Sequence, residues 1–334
     1  MPHPLGAPAA QELDPSRDGP TPDPAPPHAP DRVPGPTPDN PRGLAVMLAG
    51  FFVFAAVDTI AKFLTAELHP LQIVWTRQLG LVAIALVLIL RQGRGVLASR
   101  RPGLQVVRGV LAASSAALFI FGVRHVPLAD AVAVSFVAPF VVTVLGALVL
   151  REPVGVHRWA AIAIGFVATL IVIRPGFGTF HPAMLLVVVA SVLFASRQVL
   201  SRVITAQDST ATTVVYTAFV GSAVLTLAQP FIWTTPGSVR TLALMAAIAA
   251  LAGLGEYLIV RALEIAQAVV VAPAQYSLIL WSSIYGYLVF GQFPDGWTWF
   301  GTAIIVATGL YTMQRERRRK RRPGTVDVAP LSDI

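Results

Sequence analysis

From Leu44 onward, polar residues gather in short intervals, and between them run apolar blocks of about 17 to 25 residues, the length a helix needs to cross about 30 Å of hydrocarbon. Ten blocks stand out: 44–66, 70–90, 104–123, 128–150, 157–173, 181–201, 212–233, 239–260, 267–289 and 295–313. The intervals "RQGRGVLASRRPG", "REPVGVHR", "RPGFGTFHP", "TTPGS" and "GQFPDG" carry the turn and charge signals. "RHVPLAD" and "RALEIAQ" are briefer breaks between blocks three and four and blocks eight and nine. The pattern predicts an all-α polytopic membrane protein with ten transmembrane helices.

Residues 1–42 are different material, crowded with Pro, Asp, Gly and Ala and without an apolar run. Such a segment buries too little apolar surface to offset its ordering entropy, so it reads as a disordered cytoplasmic tail. It also lacks the apolar core of a signal peptide. Composition agrees with the block pattern: 55% of the 334 residues are hydrophobic and 13% charged, with mean hydropathy +0.68. A soluble domain carries about twice that charge. The formal net charge of +8 is largely local, because "RERRRKRR" (315–322) lies in a basic tail, 314–334. Basic residues directly after an apolar helix fit an anchor on anionic lipid better than a nucleic-acid surface. There is no Cys, which excludes disulfides, thiolate catalysis and Cys-based metal sites.

Arginine placement sets an orientation. With the N-terminus inside, the cytoplasmic intervals hold Arg91, Arg94, Arg100, Arg101, Arg151, Arg158, Arg202 and Arg261, and both tails add more. The outer intervals hold Arg124, Arg174 and Arg240. The positive-inside rule therefore predicts both termini in the cytoplasm. Trp233, Trp297 and Trp299 then fall near the outer interface and Trp159 near the inner one, as an aromatic belt requires.

The chain also matches itself. At an offset of 140 residues "FAAVDTIAKF" (54–63) overlays "FASRQVLSRV" (194–203), setting Lys62 against Arg202 and Asp58 against Gln198, and "LREP" (150–153) lies over "FGQF" (290–293). "VRHVPLADA" pairs with "VRALEIAQA" at an offset of 137. Two repeats follow, 43–177 and 178–313. Five spans per repeat is an odd number, so the second repeat enters the membrane inverted, a plan in which the solute site lies near the midplane between the halves.

Ionisable residues inside the spans are candidate functional groups. Asp58 and Lys62 are four apart and share a helix face. Arg77, in the second span, falls at similar depth. The three can neutralise one another, and Lys62 is also placed to snorkel outward. They read either as glue between helices or as a substrate or proton site. Arg197 and Glu256 are expected to pair as an inner counterpart. Arg108, one turn into its span, is expected to snorkel inward, and Asp130 to favour the start of the fourth helix through the dipole. The ninth span carries Gln275, Tyr276, Ser277 and Trp281, read as core packing or as one wall of a cavity for a planar ligand. Pro139 and Pro273 are expected to kink the fourth and ninth helices.

"DTIAKFL", "LQIVWTRQLG" and "PLADAVAVSFVAPFVVTVLGALVLREPV", with "VVVAPAQYSLILWSSIYGYLVFGQFPDGWTWFGTAIIVATGLY" in the second half, resemble the EamA-type branch of the drug/metabolite transporter superfamily over about residues 43 to 315. The resemblance implies ten helices in two five-helix repeats, a central cavity lined by the fourth and ninth helices, and secondary transport of a small metabolite across the bacterial inner membrane. It implies no cofactor and no metal. Riboflavin, another planar aromatic solute or S-adenosylmethionine are the implied substrates. Export of an amino acid or another metabolite is the alternative, and a monomer or a homodimer fits equally. One departure is visible: members often carry Gly-Glu where this chain has Gly291-Gln292, which leaves Glu152 as the first-repeat acid at the equivalent place.

Other classes find no support in the residues. The six His residues show no HExxH spacing, and there is no Gly-x-Ser-x-Gly elbow. Lys62 and Lys320 are the only lysines and neither lies in a phosphate loop, so neither an enzyme nor an ATP motor is expected.

Overall fold

A computed structural model describes residues 39–149, 151, 155–174, 181–204 and 207–320. Glu152, nearly all of the N-terminal tail and the last part of the basic tail lie outside the described residues. Among the described residues there is no strand. The elements are α1 (Asn40–Leu64), α2 (Pro70–Gln92), α3 (Pro102–Val123), α4 (Leu128–Ser135), α5 (Ala138–Val149), α6 (Val156–Ile173), α7 (Ala183–Ile204), α8 (Thr210–Ile232), α9 (Val239–Ile265), α10 (Ala268–Val271), α11 (Ser277–Phe290) and α12 (Gly296–Lys320). Eight helices are long and apolar enough to cross a membrane, counting α4 and α5 as one unit. Helical backbone in α12 continues past residue 314, where the sequence places the start of the tail.

The helix starts follow from local chemistry. Asp39 accepts the Arg42 N–H at 3.1 Å with a proline in the first turn, and Ser209 and Ser238 accept from Thr212 and Thr241 in the same way. A side chain at this position satisfies one of the orphan donors of the first turn. α2 stops at Gly93, whose φ of +78° suits a residue without Cβ.

Pro139 and Pro273 do more than kink. α4 ends at Ser135, the residue whose carbonyl a helical Pro139 would leave without a donor, and α5 starts at Ala138. At Pro273 the α-helix gives way to a 3-10 turn over Ala272–Tyr276 before α11 begins. The fourth and ninth blocks, expected as single helices, are therefore discontinuous. The two breaks touch: the rings of Phe136 and Tyr276 lie 5.2 Å apart.

The helix contacts come in matched pairs across the repeats. α1 packs on α9 as α7 packs on α3; α2 meets α9 as α8 meets α3; α1 meets α11 as α7 meets α5. α2 with α8 and α6 with α12 are the self-matched contacts. This is the pattern a pseudo-two-fold between the two repeats produces. Small residues set the tightest crossing. A Cβ built on Gly80 of α2 would lie 1.8 Å from the Ala249 carbonyl oxygen of α9, and one on Gly253 would lie 2.9 Å from the Gly80 oxygen. The two backbones are in direct contact, the geometry small residues permit between membrane helices.

At the end of the bundle where α1 begins, Asp208 staples the α7–α8 connection to the start of α3. It accepts from Ser99 Oγ at 2.5 Å, the Arg100 backbone N–H at 2.9 Å and Gln105 Nε2 at 2.9 Å. Burial pushes the Asp208 carboxyl up, but these hydrogen bonds outweigh it and hold the group below the ordinary carboxylate range. A depressed folded-state value means that the staple stabilises fully above the unfolded carboxylate value and is lost as pH falls through the folded one. Asp208→Asn offers one acceptor oxygen where three donors converge. It should cost about 1–3 kcal/mol near neutral pH and flatten the acid limb of a melting-temperature profile. Melting curves between pH 7 and pH 4 that coincide with wild type would remove this role.

Candidate functional site

Three polar groups of α1 and α2 were expected to share one cluster; the structure divides them. Asp58 is 7% exposed and pairs with Arg77, Oδ1 to Nη1 at 3.4 Å, while the Arg77 guanidinium lies 5.5 Å from the Phe54 ring centre. Lys62, one turn on, does not join them. Its Nζ donates to the Val126 carbonyl at 2.5 Å and to Gln292 Oε1 at 2.9 Å, and it lies 5.1 Å over the Phe290 ring. At 9% exposure it does not snorkel, because the α3–α4 connection and the α11–α12 connection close over it.

Lys62 thus anchors a polar knot at the end of the bundle where α1 finishes. Asp130, in the first turn of α4, accepts from Thr298 Oγ1 at 3.0 Å and exerts a field on Lys62. Its place in the first turn suits the helix dipole, and the bond to α12 is an additional tie. Arg174, just past α6, pairs with Asp295 at 2.6 Å. Burial raises the Asp295 carboxyl, but hydrogen bonds from Thr298 and Arg174 more than offset this and hold it below the usual range. The Gln292 position, noted in the sequence as a departure from the family pattern, is the neutral partner of Lys62.

Deeper in the bundle, Arg108 of α3 does not snorkel either. Its Nε donates to Ser201 Oγ of α7 at 2.6 Å and its Nη1 to Thr217 Oγ1 of α8. Periodicity places Arg108 one turn from a helix end, where snorkelling is the simplest expectation; the two hydroxyls that hold it come from the other repeat. Arg197 of α7 and Glu256 of α9 lie within each other's field but are not in ion-pair contact. The Arg197 guanidinium stacks 4.6 Å from the Phe194 ring centre, and its buried Nε has no hydrogen-bond partner. Glu256 also acts on Arg108. The centre therefore gathers three guanidinium groups and two carboxylates from α1, α2, α3, α7 and α9, with one close ion pair among them, Asp58–Arg77.

The aromatic residues expected to form one wall point to different places. Tyr276 is buried against Phe136, and its hydroxyl sits where a Cβ on Gly309 of α12 would be. Trp281 lies edge-on to Phe52 of α1 at 5.2 Å, with Tyr285 beside the same phenylalanine at 5.5 Å. The 3-10 turn before Ser277 rotates the two residues apart. Ser277 Oγ and Trp281 Nε1, four residues apart on α11, are both buried without a partner. Gln275, in that same turn, is half-buried. Among the described residues no group of three His, Cys, Asp or Glu side chains could hold a metal ion.

Comparison with known proteins places this arrangement. The model of the EamA-like transporter family matches residues 41–174 and again 181–313, one match per repeat. An S-adenosylmethionine uptake transporter of Rickettsia bellii is 26% identical over 83% of this chain and 94% of its own length. A riboflavin transporter of Vibrio cholerae is 29% identical over 84% of this chain and 96% of its own. A solved crystal structure, 16% identical, superposes with a TM-score of 0.58 over 84% of this chain and 99% of that one, which is a likeness of fold.

Proposed function

The chain belongs to the EamA-like transporter family, and from that premise we propose that it moves a small metabolite across the bacterial inner membrane by alternating access, with the buried ionic centre as its solute site. As an EamA-like chain with relatives named for uptake of S-adenosylmethionine and of riboflavin, it is a metabolite transporter of the drug/metabolite superfamily. The observation that supports the site is the ionic centre itself. Charged groups from both repeats converge, and two of the helices that carry them, α1 and α7, pack on the discontinuous helices, the kind of place where secondary transporters hold their solutes.

In this reading the α10–α11 unit and α12 are the ninth and tenth crossings, and both termini face the cytoplasm. The arginine asymmetry of the intervals supports that orientation. The knot around Lys62 then closes the periplasmic end. No residue takes a catalytic role; the work of the chain is binding and exchange of conformations. S-adenosylmethionine-like and riboflavin-like solutes are the two substrate classes that the relatives bring forward.

Uptake of labelled S-adenosylmethionine and riboflavin into cells producing the chain tests the reading, with Asp58→Asn as the variant. The amide keeps the shape of Asp58 and leaves Arg77 without its counter-charge, a loss that costs several kcal/mol in a buried pair. Uptake is expected to fall more than about tenfold at matched protein abundance, since about 1.4 kcal/mol already corresponds to tenfold. Wild-type uptake by well-folded Asp58→Asn protein would take this residue out of the site.

A further inference from the structure

We infer that the solute is a zwitterion, its carboxylate held by Arg197 and its cationic centre by Glu256; this rests on the solute site proposed above. The argument begins with how each charge in the centre is already satisfied. Arg77 has Asp58 at 3.4 Å. Arg108 has the hydroxyls of Ser201 and Thr217. Arg197 has only an aromatic face, and its buried Nε lacks a partner. Glu256 has neither an ion pair nor a hydrogen bond among the described residues, although it acts on both Arg197 and Arg108.

An isolated pair of opposite charges in a low-dielectric interior gains by closing to contact, and leaving both ends open forgoes that gain. Here both ends belong to the second repeat, on α7 and α9, and they are not in ion-pair contact. Arg197 rides on the Phe194 ring of its own helix. Glu256 follows Ile248 and Ala252 at four-residue spacing along the buried stripe of α9, and Gly253 and Gly255 seat that helix against Gly80 and Phe54. A buried guanidinium with an unpartnered Nε and a carboxylate near it but not in contact complement a molecule that carries both charges. The guanidinium fork suits a carboxylate through paired N–H donors. A carboxylate suits an ammonium or sulfonium centre. A neutral solute would leave both charges uncompensated, so the same gap discriminates against it.

A graded set of adenosyl solutes separates the two contacts: S-adenosylmethionine with carboxylate and cations, decarboxylated S-adenosylmethionine with cations alone, and 5′-methylthioadenosine with neither. Binding is measured on the purified full chain in lipid nanodiscs, and counterflow on the same protein in liposomes, with riboflavin as a fourth solute. The wild type is expected to bind S-adenosylmethionine at least about tenfold more tightly than its decarboxylated form, and that more tightly than 5′-methylthioadenosine. Arg197→Gln should bind the first two alike, erasing the carboxylate discrimination, and Arg197→Lys should restore part of it. Glu256→Gln should bring both cationic solutes down towards 5′-methylthioadenosine. Loss of discrimination is a readout that a merely unstable variant does not give.

Equal binding of S-adenosylmethionine and its decarboxylated form by the wild type overturns the inference. So does riboflavin counterflow that Arg197→Gln leaves unchanged; in that case the transporter reading stands and the zwitterion is wrong. A folded wild type that moves none of the four solutes overturns both.

Discussion

Lys62→Met is expected to lower the stability of the purified protein by about 2 kcal/mol, and Gln292→Glu to raise its melting temperature while slowing transport. The ammonium of Lys62 is held by one buried and one exposed acceptor. Methionine fills the same space over Phe290 but removes both bonds. The Val126 carbonyl, in a connection buried under α11–α12, is then left without its donor, at a cost of about 1–3 kcal/mol. Gln292 is exposed and can turn to solvent, so its loss adds little. Against this, methionine spares the desolvation of an ammonium, which keeps the total near the middle of the range. Gln292→Glu changes the sign of the argument. The ammonium already makes its bond to the amide charge-assisted, and a carboxylate 2.9 Å away adds the attraction of a full opposite charge. If this end opens during transport, that bond breaks on every cycle, and a stronger bond means a lower population of the open state. Thermal melting in detergent and initial uptake rates check the two variants. A Lys62→Met protein that melts with the wild type, or a Gln292→Glu protein that is faster, would show that the knot is not the closure of this end.

Gly80→Val is expected to abolish the folded protein altogether. A Cβ at this position meets the Ala249 carbonyl of α9 at 1.8 Å, and no rotamer change relieves a backbone contact. α9 would have to withdraw, and α9 also carries the most extensive packing of α1 and the carboxylate of Glu256. Overpacking of one methylene already costs about 1–3 kcal/mol in a close-packed interior. Displacing a whole helix exceeds that range and approaches the total stability of a typical protein. Gly95, which has nothing near its Cβ direction, is the control. Fluorescence-detected size exclusion should show no monodisperse peak for Gly80→Val and an unchanged peak for Gly95→Ala. A normal Gly80→Val peak would mean that α2 and α9 do not cross here.

What the sequence made legible was what depends on local period and composition. Of the first eight blocks, all but the fourth appear as single helices within about five residues of their expected limits, because hydrophobic length is a one-dimensional signal. The prolines were legible for the same reason, although a kink became a break: α4 ends at Ser135, α5 starts only at Ala138, and Ala272–Tyr276 tightens to a 3-10 turn. What depends on the third dimension was not. Sequence spacing sets Lys62 beside Asp58, yet its partners are Val126 and Gln292, 64 and 230 residues away. Arg108 looked free because its acceptors, Ser201 and Thr217, belong to the other repeat. Tyr276 and Trp281 looked like one wall because an unbroken helix was assumed through the turn that separates them. The repeat itself held the useful hint. Had helices been matched by their repeat partners, α1 would have been sought against α9 and α3 against α7.

Those crossed pairings bear on how the chain is made. α1 leaves the ribosome first, but its principal packing surface belongs to α9, and α3 must await α7. The first five-span unit therefore inserts with its best faces still turned to lipid or to a holding factor. Membrane insertion and tertiary assembly are separated in time, and the second event is concerted, since late contacts join segments far apart in sequence. A truncated message would give an inserted but unassembled half, a natural substrate for membrane quality control.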